Sequence, residues 1–232
     1  MPPPSGALTV AVASSLLPVL EALAPVFAAQ AGATLTLVGG ASGKLVAQIE
    51  RGAPFDAFVS ADLDYPRRLQ SSGATAGPPL VYAHGTLALW TLSDLDLEGG
   101  LGALAGARVR RIAVADPKVA PFGRAAVSAI QAAGLWEALE PKLVYGGSVS
   151  QVNQFVASKA ADAGLTSKSA VFAPATRGKG RWKAVDSAEP IPHALVILAR
   201  GAKREPELTR RFRAFMSGPR AQSALRDFGY DP

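Results

Sequence analysis

The chain has 232 residues, enough for one large domain or for two units of about 100 residues each. Apolar residues make up 49% of it, which permits a sizeable core, and the absence of cysteine excludes disulfides, thiolate metal sites and cysteine nucleophiles. The net charge of +6 arrives without the aromatic interleaving of a single-strand nucleic-acid binder: Arg108, Arg110 and Arg111 precede a strand, and Arg204, Arg210, Arg211 and Arg213 read as the solvated face of a helix, so no nucleic-acid partner is expected.

No apolar run is long enough to span a membrane. The opening stretch Met1 to Gly6 has neither a basic nor an apolar signal region and reads as a trimmed or engineered start, which leaves secretion open.

In chain order, Leu8 to Ala13 is an apolar, β-branched run and reads as a buried strand. After Ser14 and Ser15, the residues Leu16, Leu20, Leu23, Ala24 and Phe27 recur at helical spacing. Thr34 to Val38 is a second strand, Gly39 to Gly43 a tight turn, and Leu45, Val46 and Ile49 a helical stripe that ends before Gly52. Phe55 to Val59 is a third strand, followed by a helix with Tyr65 and Leu69 that stops near Gly73. Leu80 to Leu92 is a longer β-rich run, interrupted at His84 and Gly85, long enough to leave one lobe and enter another.

Ile112 to Ala115 then opens a second series, with Asp116 to Gly123 as its loop and a helix from about Arg124 to Ala133. Leu143 to Tyr145 leads through Gly146, Gly147 and Ser148 into a helix near Ser150 to Ser158, and Ala163 to Thr166 is a short strand. Ala175 to Lys183 reads as a surface loop and Ala194 to Ala199 as a strand; helices follow over Glu205 to Met216 and from Pro219 to Phe228. Strand alternating with helix predicts an α/β fold of mostly parallel sheets flanked by helices. The expected organisation is two lobes, 1–83 with 195–232 as a discontinuous first lobe and 84–194 inserted into it.

What recurs is a strand, a small polar loop and a helix start. A helix start carries backbone N–H groups with no intrahelical partner and a partial positive charge, so small residues there let an anion approach. Ser14, Ser15 and Ser42 add hydroxyl donors, while Phe122 and Val149 contribute main-chain N–H groups alone, which leaves their side chains free to vary. Any single serine among these also reads as an ordinary N-cap; the repetition at successive strand ends is what points to a ligand.

Other readings are weaker. Gly39 to Lys44 fails as a nucleotide loop because Val38 stands where the first glycine belongs and Leu45 replaces the magnesium-binding hydroxyl; Lys44 reads as surface. His84 and His193 lie far apart with no catalytic pattern around them, and read as lobe-crossing or surface residues. Asp56, Asp62 and Asp116 read as turn and cap residues without metal-ligand spacing, and Trp90, Trp136 and Trp182 as packing residues. No resident cofactor or metal site and no enzymatic activity is expected.

The segments Ala13-Ser14-Ser15-Leu16, Ser42 to Glu50 with Gly52-Ala53-Pro54, and Phe55-Asp56-Ala57-Phe58-Val59-Ser60-Ala61-Asp62 resemble the periplasmic molybdate-binding proteins. The resemblance continues through Tyr82 to Trp90, Ala113 to Pro117, Pro121-Phe122-Gly123 and Gln151 to Val156, and ends with Phe228-Gly229-Tyr230. It implies a two-lobe periplasmic-binding-protein fold with the ligand in a cleft between the lobes, capture of molybdate or tungstate, and delivery to the membrane permease of an ABC importer by a monomer. Carried over by position, the oxyanion contacts fall on Ser15 with Ser14 beside it, on Ser42, and on the main chain of Phe122 and Val149. Some members place a tyrosine where this chain has Ser167, so a fifth contact there stays open. The alternatives are a binding protein for sulfate, phosphate or a carboxylate, an enzyme on a related bilobal scaffold, and the effector-sensing part of a transcription factor.

Overall fold

The computed structural model describes residues 6–231. The first five residues, which open the stretch read as a trimmed start, and Pro232 of the expected first lobe lie outside that range. The described chain forms two compact units: residues up to His84 together with those from Pro192 onward, and the continuous stretch Gly85–Ile191.

The first unit begins with β1 (Gly6–Ala13), α1 (Leu17–Ala31), β2 (Ala33–Gly40), α2 (Ser42–Glu50), β3 (Ala57–Ser60), α3 (Asp64–Ser71) and β4 (Leu80–Gly85). The second holds β5 (Leu87–Thr91), a 3-10 turn (Gly100–Ala105), β6 (Ile112–Ala115), α4 (Pro121–Ala132), α5 (Trp136–Leu139), β7 (Leu143–Gly146), α6 (Val149–Ala157), β8 (Ala163–Ser167), α7 (Lys168–Phe172) and β9 (Arg181–Ala184). The chain then returns through β10 (Ile191–Ile197), α8 (Ala199–Arg204), α9 (Pro206–Met216) and α10 (Pro219–Asp227).

Each unit is built on a five-stranded sheet, ordered β2-β1-β3-β10-β4 in the first and β7-β6-β8-β5-β9 in the second. The three leading strands of each are mutually parallel, and the sheets become mixed where β10 runs antiparallel to β3 and where β5 runs antiparallel to both β8 and β9. In β1, Leu8, Val10, Ala11 and Val12 are all buried, as a strand covered on both faces requires. One cover is the stripe of α2, where Leu45, Val46 and Ile49 join Phe55, Phe58, Leu69 and Val196 in one cluster. Another is α1, whose Phe27 meets Phe212 and Phe215 of α9 edge-on at 5.5 and 5.3 Å. In the second unit Ala126, Ala129 and Ile130 of α4 and Val152 and Val156 of α6 are the corresponding buried faces.

Four local expectations need correction. Gly39 and Gly40 are not a turn: they finish β2 in register with Val12 and Ala13, and the helix begins at Ser42. Helix α4 starts at Pro121 rather than near Arg124, because proline at the first helical position has a suitable φ and needs no acceptor. The stretch expected as a surface loop to Lys183 contains β9, a sheet-edge strand whose exposed Arg181 and Trp182 hide any apolar alternation. The short helices α7 and α8 were not expected at all; neither is long enough to display a period.

Asp56 is also more than a turn residue. Its fully buried carboxylate accepts from the Thr9 N–H at 2.8 Å and pairs with Arg200 and Arg204 of α8. Arg204 donates onward to the Ala7 carbonyl at 2.6 Å, so it is not simply part of a solvated face. The ion pairs and hydrogen bonds tie the early strands to the returning chain, and a carboxylate so deeply buried requires such partners. Arg210 and Arg211, in contrast, are exposed and pair with Glu207 one turn away.

Candidate functional site

In both sheets the first strand of the parallel trio lies between the next two, β1 between β2 and β3, and β6 between β7 and β8. The helical connections therefore depart in opposite directions, and the carboxyl ends of these strands form the kind of topological switch point at which open α/β sheets bind ligands.

In the first unit this end carries the expected serines. Ser14 and Ser15 follow β1, and the Ser14 N–H donates to the Gly40 carbonyl at 2.8 Å, which joins the end of β1 to that of β2. Leu16 N–H closes a turn onto the Ala13 carbonyl at 2.8 Å before α1 begins. Ser42 is the first residue of α2; its buried hydroxyl accepts from the Ala61 N–H at 3.3 Å, just past β3. The β3 end is held in turn by Asp62, which accepts from the Ser60 hydroxyl at 2.9 Å and from the Tyr65 N–H at 3.3 Å. Ser14, Ser15 and Ser42 thus sit on neighbouring strand ends, braced by a Ser60–Asp62 loop that the serine pattern alone did not reveal. Lys44, in the first turn of the helix, is exposed.

In the second unit Ala115 at the end of β6 registers with Gly146 at the end of β7, and the Asp116 N–H donates to the Gly146 carbonyl at 2.8 Å. Phe122 lies in the first turn of α4 and Val149 opens α6. A Cβ on Gly123 would stand 2.1 Å from the Ala115 carbonyl oxygen, so only glycine lets the start of α4 lie this close to its strand. At α6 the Ser148 hydroxyl accepts from the Gln151 N–H at 3.3 Å, and the Gln151 side chain accepts from the Gly147 N–H at 2.6 Å. This reciprocal cap occupies the N–H groups on either side of Val149 and Ser150 and orients the first turn. Gln151 belongs to the quoted resemblance, yet its capping role was not foreseen.

Phe122 and Val149, expected as main-chain donors whose side chains can vary, have both side chains buried in the core, so these residues also anchor their helices. Ser167 caps α7, accepting from the Ala170 N–H at 3.3 Å and sharing a 2.8 Å contact with the Ser169 hydroxyl.

The remaining candidates have structural surroundings. His84 pairs through its backbone with Asp231, and His193 is fully buried against Tyr230. Asp116 receives the Lys118 N–H at 2.9 Å. Trp90 is buried and donates to the Lys179 carbonyl, while Trp182 stacks edge-on against Phe172. Among the described residues no group of three or more His, Asp or Glu is placed to hold a metal ion, and no helix is long and apolar enough to cross a membrane.

Residues 8–231 match the bacterial extracellular solute-binding protein family. The molybdate-binding protein ModA of Rhodobacter capsulatus is 34% identical over 99% of this chain and 90% of its own length. The solved structure of the Azotobacter vinelandii periplasmic molybdate-binding protein superposes with a TM-score of 0.89 at 33% identity, covering 97% of this chain and 99% of that one. The sulfate-binding protein SubI of Mycobacterium tuberculosis matches with a TM-score of 0.78 at 15% identity over 98% of this chain and 87% of its own, a likeness of fold alone. The chain belongs to the bacterial extracellular solute-binding protein family, and within it is similar to the molybdate-binding proteins.

Proposed function

We propose that this protein captures molybdate or tungstate in the periplasm and delivers it to the membrane permease of an ABC importer, acting as a monomer and performing no chemistry on the ligand. The donors are the Ser15 and Ser42 hydroxyls, with Ser14 beside them, and the main-chain N–H groups of Phe122 and Val149. Such a set suits a tetrahedral dianion: preorganised N–H and O–H groups replace its hydration, each charge-assisted hydrogen bond contributing about 1.5–3 kcal/mol. No lysine or arginine is required, because the helix starts already carry partial positive charge.

The observation that carries this reading is the repeated arrangement of small or hydroxyl-bearing helix starts at both switch points, in a chain 33–34% identical to molybdate-binding proteins along nearly its whole length. Sulfate and phosphate have similar shape and charge, and remain the rival ligands. The likeness to a sulfate-binding protein, at 15% identity, does not favour them.

A thermal-shift titration with molybdate, tungstate, sulfate and phosphate tests the proposal. Ligand at a hundredfold its dissociation constant stabilises the folded state by about 2.7 kcal/mol. Large shifts with molybdate and tungstate only are expected. A shift with sulfate or phosphate alone would discard the ligand assignment, and silence from all four would remove the oxyanion reading.

A further inference from the structure

The Phe228-Gly229-Tyr230 motif lies outside the proposed donor set, yet its last residue is bonded to one of those donors. Helix α10 ends at Asp227, and Gly229 takes a left-handed φ of 78°, which turns the chain back on itself. The Tyr230 N–H then donates to the Leu225 carbonyl at 3.0 Å, and Asp231 exchanges backbone hydrogen bonds of 2.6 and 3.0 Å with His84. Tyr230 is thus fixed on both sides along the backbone. Its ring, 2% exposed, lies edge-on to His193 with centroids 5.3 Å apart. From there its hydroxyl donates to the Ser15 carbonyl at 2.8 Å, across 215 residues of sequence.

That carbonyl needs a partner. The helical ladder of α1 begins with the Leu16 carbonyl, which accepts from Leu20, so Ser15 lies one residue outside it. This peptide is held on both edges: the Leu16 N–H donates to the Ala13 carbonyl at 2.8 Å, and the Ser15 carbonyl accepts from Tyr230. Removing the tyrosine hydroxyl leaves one edge fixed and lets the plane tilt about it. Tilting of the Ser15–Leu16 plane would re-aim the Ser15 side chain and the N–H groups that follow it.

We infer that Tyr230 is a positioning residue for the oxyanion site: it does not touch the ligand, but holds the Ser15–Leu16 peptide so that the Ser15 donors stay aimed. This rests on the proposed binding function, and the test keeps the two separable. Molybdate titration calorimetry on the wild type, Tyr230→Phe, Ser15→Ala and the double variant reads the coupling. Loss of one neutral hydrogen bond is expected to weaken binding about tenfold in Tyr230→Phe, and by much less once Ser15 is already alanine. Thr209→Val, which removes a buried hydroxyl bonded to the Glu205 and Pro206 carbonyls, is the structural control: its melting temperature falls while affinity holds. In the unliganded protein, amide exchange at Leu16 and Leu17 is expected to quicken in Tyr230→Phe and not in Thr209→Val. Wild-type affinity in Tyr230→Phe, fully additive losses, or unchanged exchange at Leu16 and Leu17 would each overturn the inference. A wild type silent toward molybdate would overturn the proposed ligand, and the exchange comparison would still decide the role of Tyr230.

Discussion

The two units solve the same problem with different atoms. Both place a parallel trio of strands in the order second-first-third and load its carboxyl end with helix starts. In the proposed site the first unit would supply hydroxyl side chains, Ser14, Ser15 and Ser42, and the second main-chain groups at Phe122 and Val149, whose side chains are packed inward. The difference teaches where substitution can act. A hydroxyl can be removed without disturbing the backbone, whereas a main-chain N–H can be removed only by proline or by moving the helix that carries it.

The harshest test of that contrast is Gly123→Ala. The added carbon would collide with the Ala115 carbonyl oxygen, so α4 must shift off its strand, and a loss of about 3 kcal/mol in denaturant-melting stability is expected. Unharmed stability would mean that α4 is not held as closely as its backbone suggests.

The comparison sharpens with a pair of milder changes. Ser42→Ala removes a hydroxyl from the proposed site and the acceptor of the Ala61 N–H, so oxyanion binding should weaken by about 1.5–3 kcal/mol in a calorimetric titration. Phe122→Leu keeps its N–H and should alter affinity only slightly while costing about 1 kcal/mol of stability. The reverse pattern would place the unequal contributions in the wrong units.

Tyr82→Phe should have the smallest effect. The Tyr82 hydroxyl is buried with no hydrogen-bond partner among the described residues, and burial holds its pKa well above the ordinary tyrosine value. Removing it should leave the melting temperature within the equivalent of about 0.5 kcal/mol, or raise it. A marked loss would reveal a partner, such as an ordered water.

Most of the framework is legible in the chain because buried strands such as Leu8 to Ala13 and Ile112 to Ala115 are short, apolar and β-branched, and because small polar loops follow them. Edge strand β9 escaped because one side of it faces solvent. The role of Asp56 escaped because its arginines lie 144 and 148 residues away, a distance that no local pattern bridges. The candidate serines could be placed at strand ends from their surroundings alone. Of their supports, the Ser60–Asp62 loop and the Ser148–Gln151 cap are local patterns, two and three residues apart, that the serine positions alone do not reveal. The Tyr230 hydroxyl, in contrast, reaches Ser15 across 215 residues, and no spacing shows it.

The late return of the chain also orders events in time. Strand β4 belongs to the first sheet only through β10, which lies between it and β3, and Asp56 finds its cations only in α8. A ribosome delivers the second unit as one uninterrupted stretch, able to collapse on local contacts, while the first waits for β10 before its sheet can close and for α8 before Asp56 is paired. Refolding should therefore be biphasic, with the contiguous unit consolidating ahead of the split one, and the rate of the slow phase set by the search that brings β10 home.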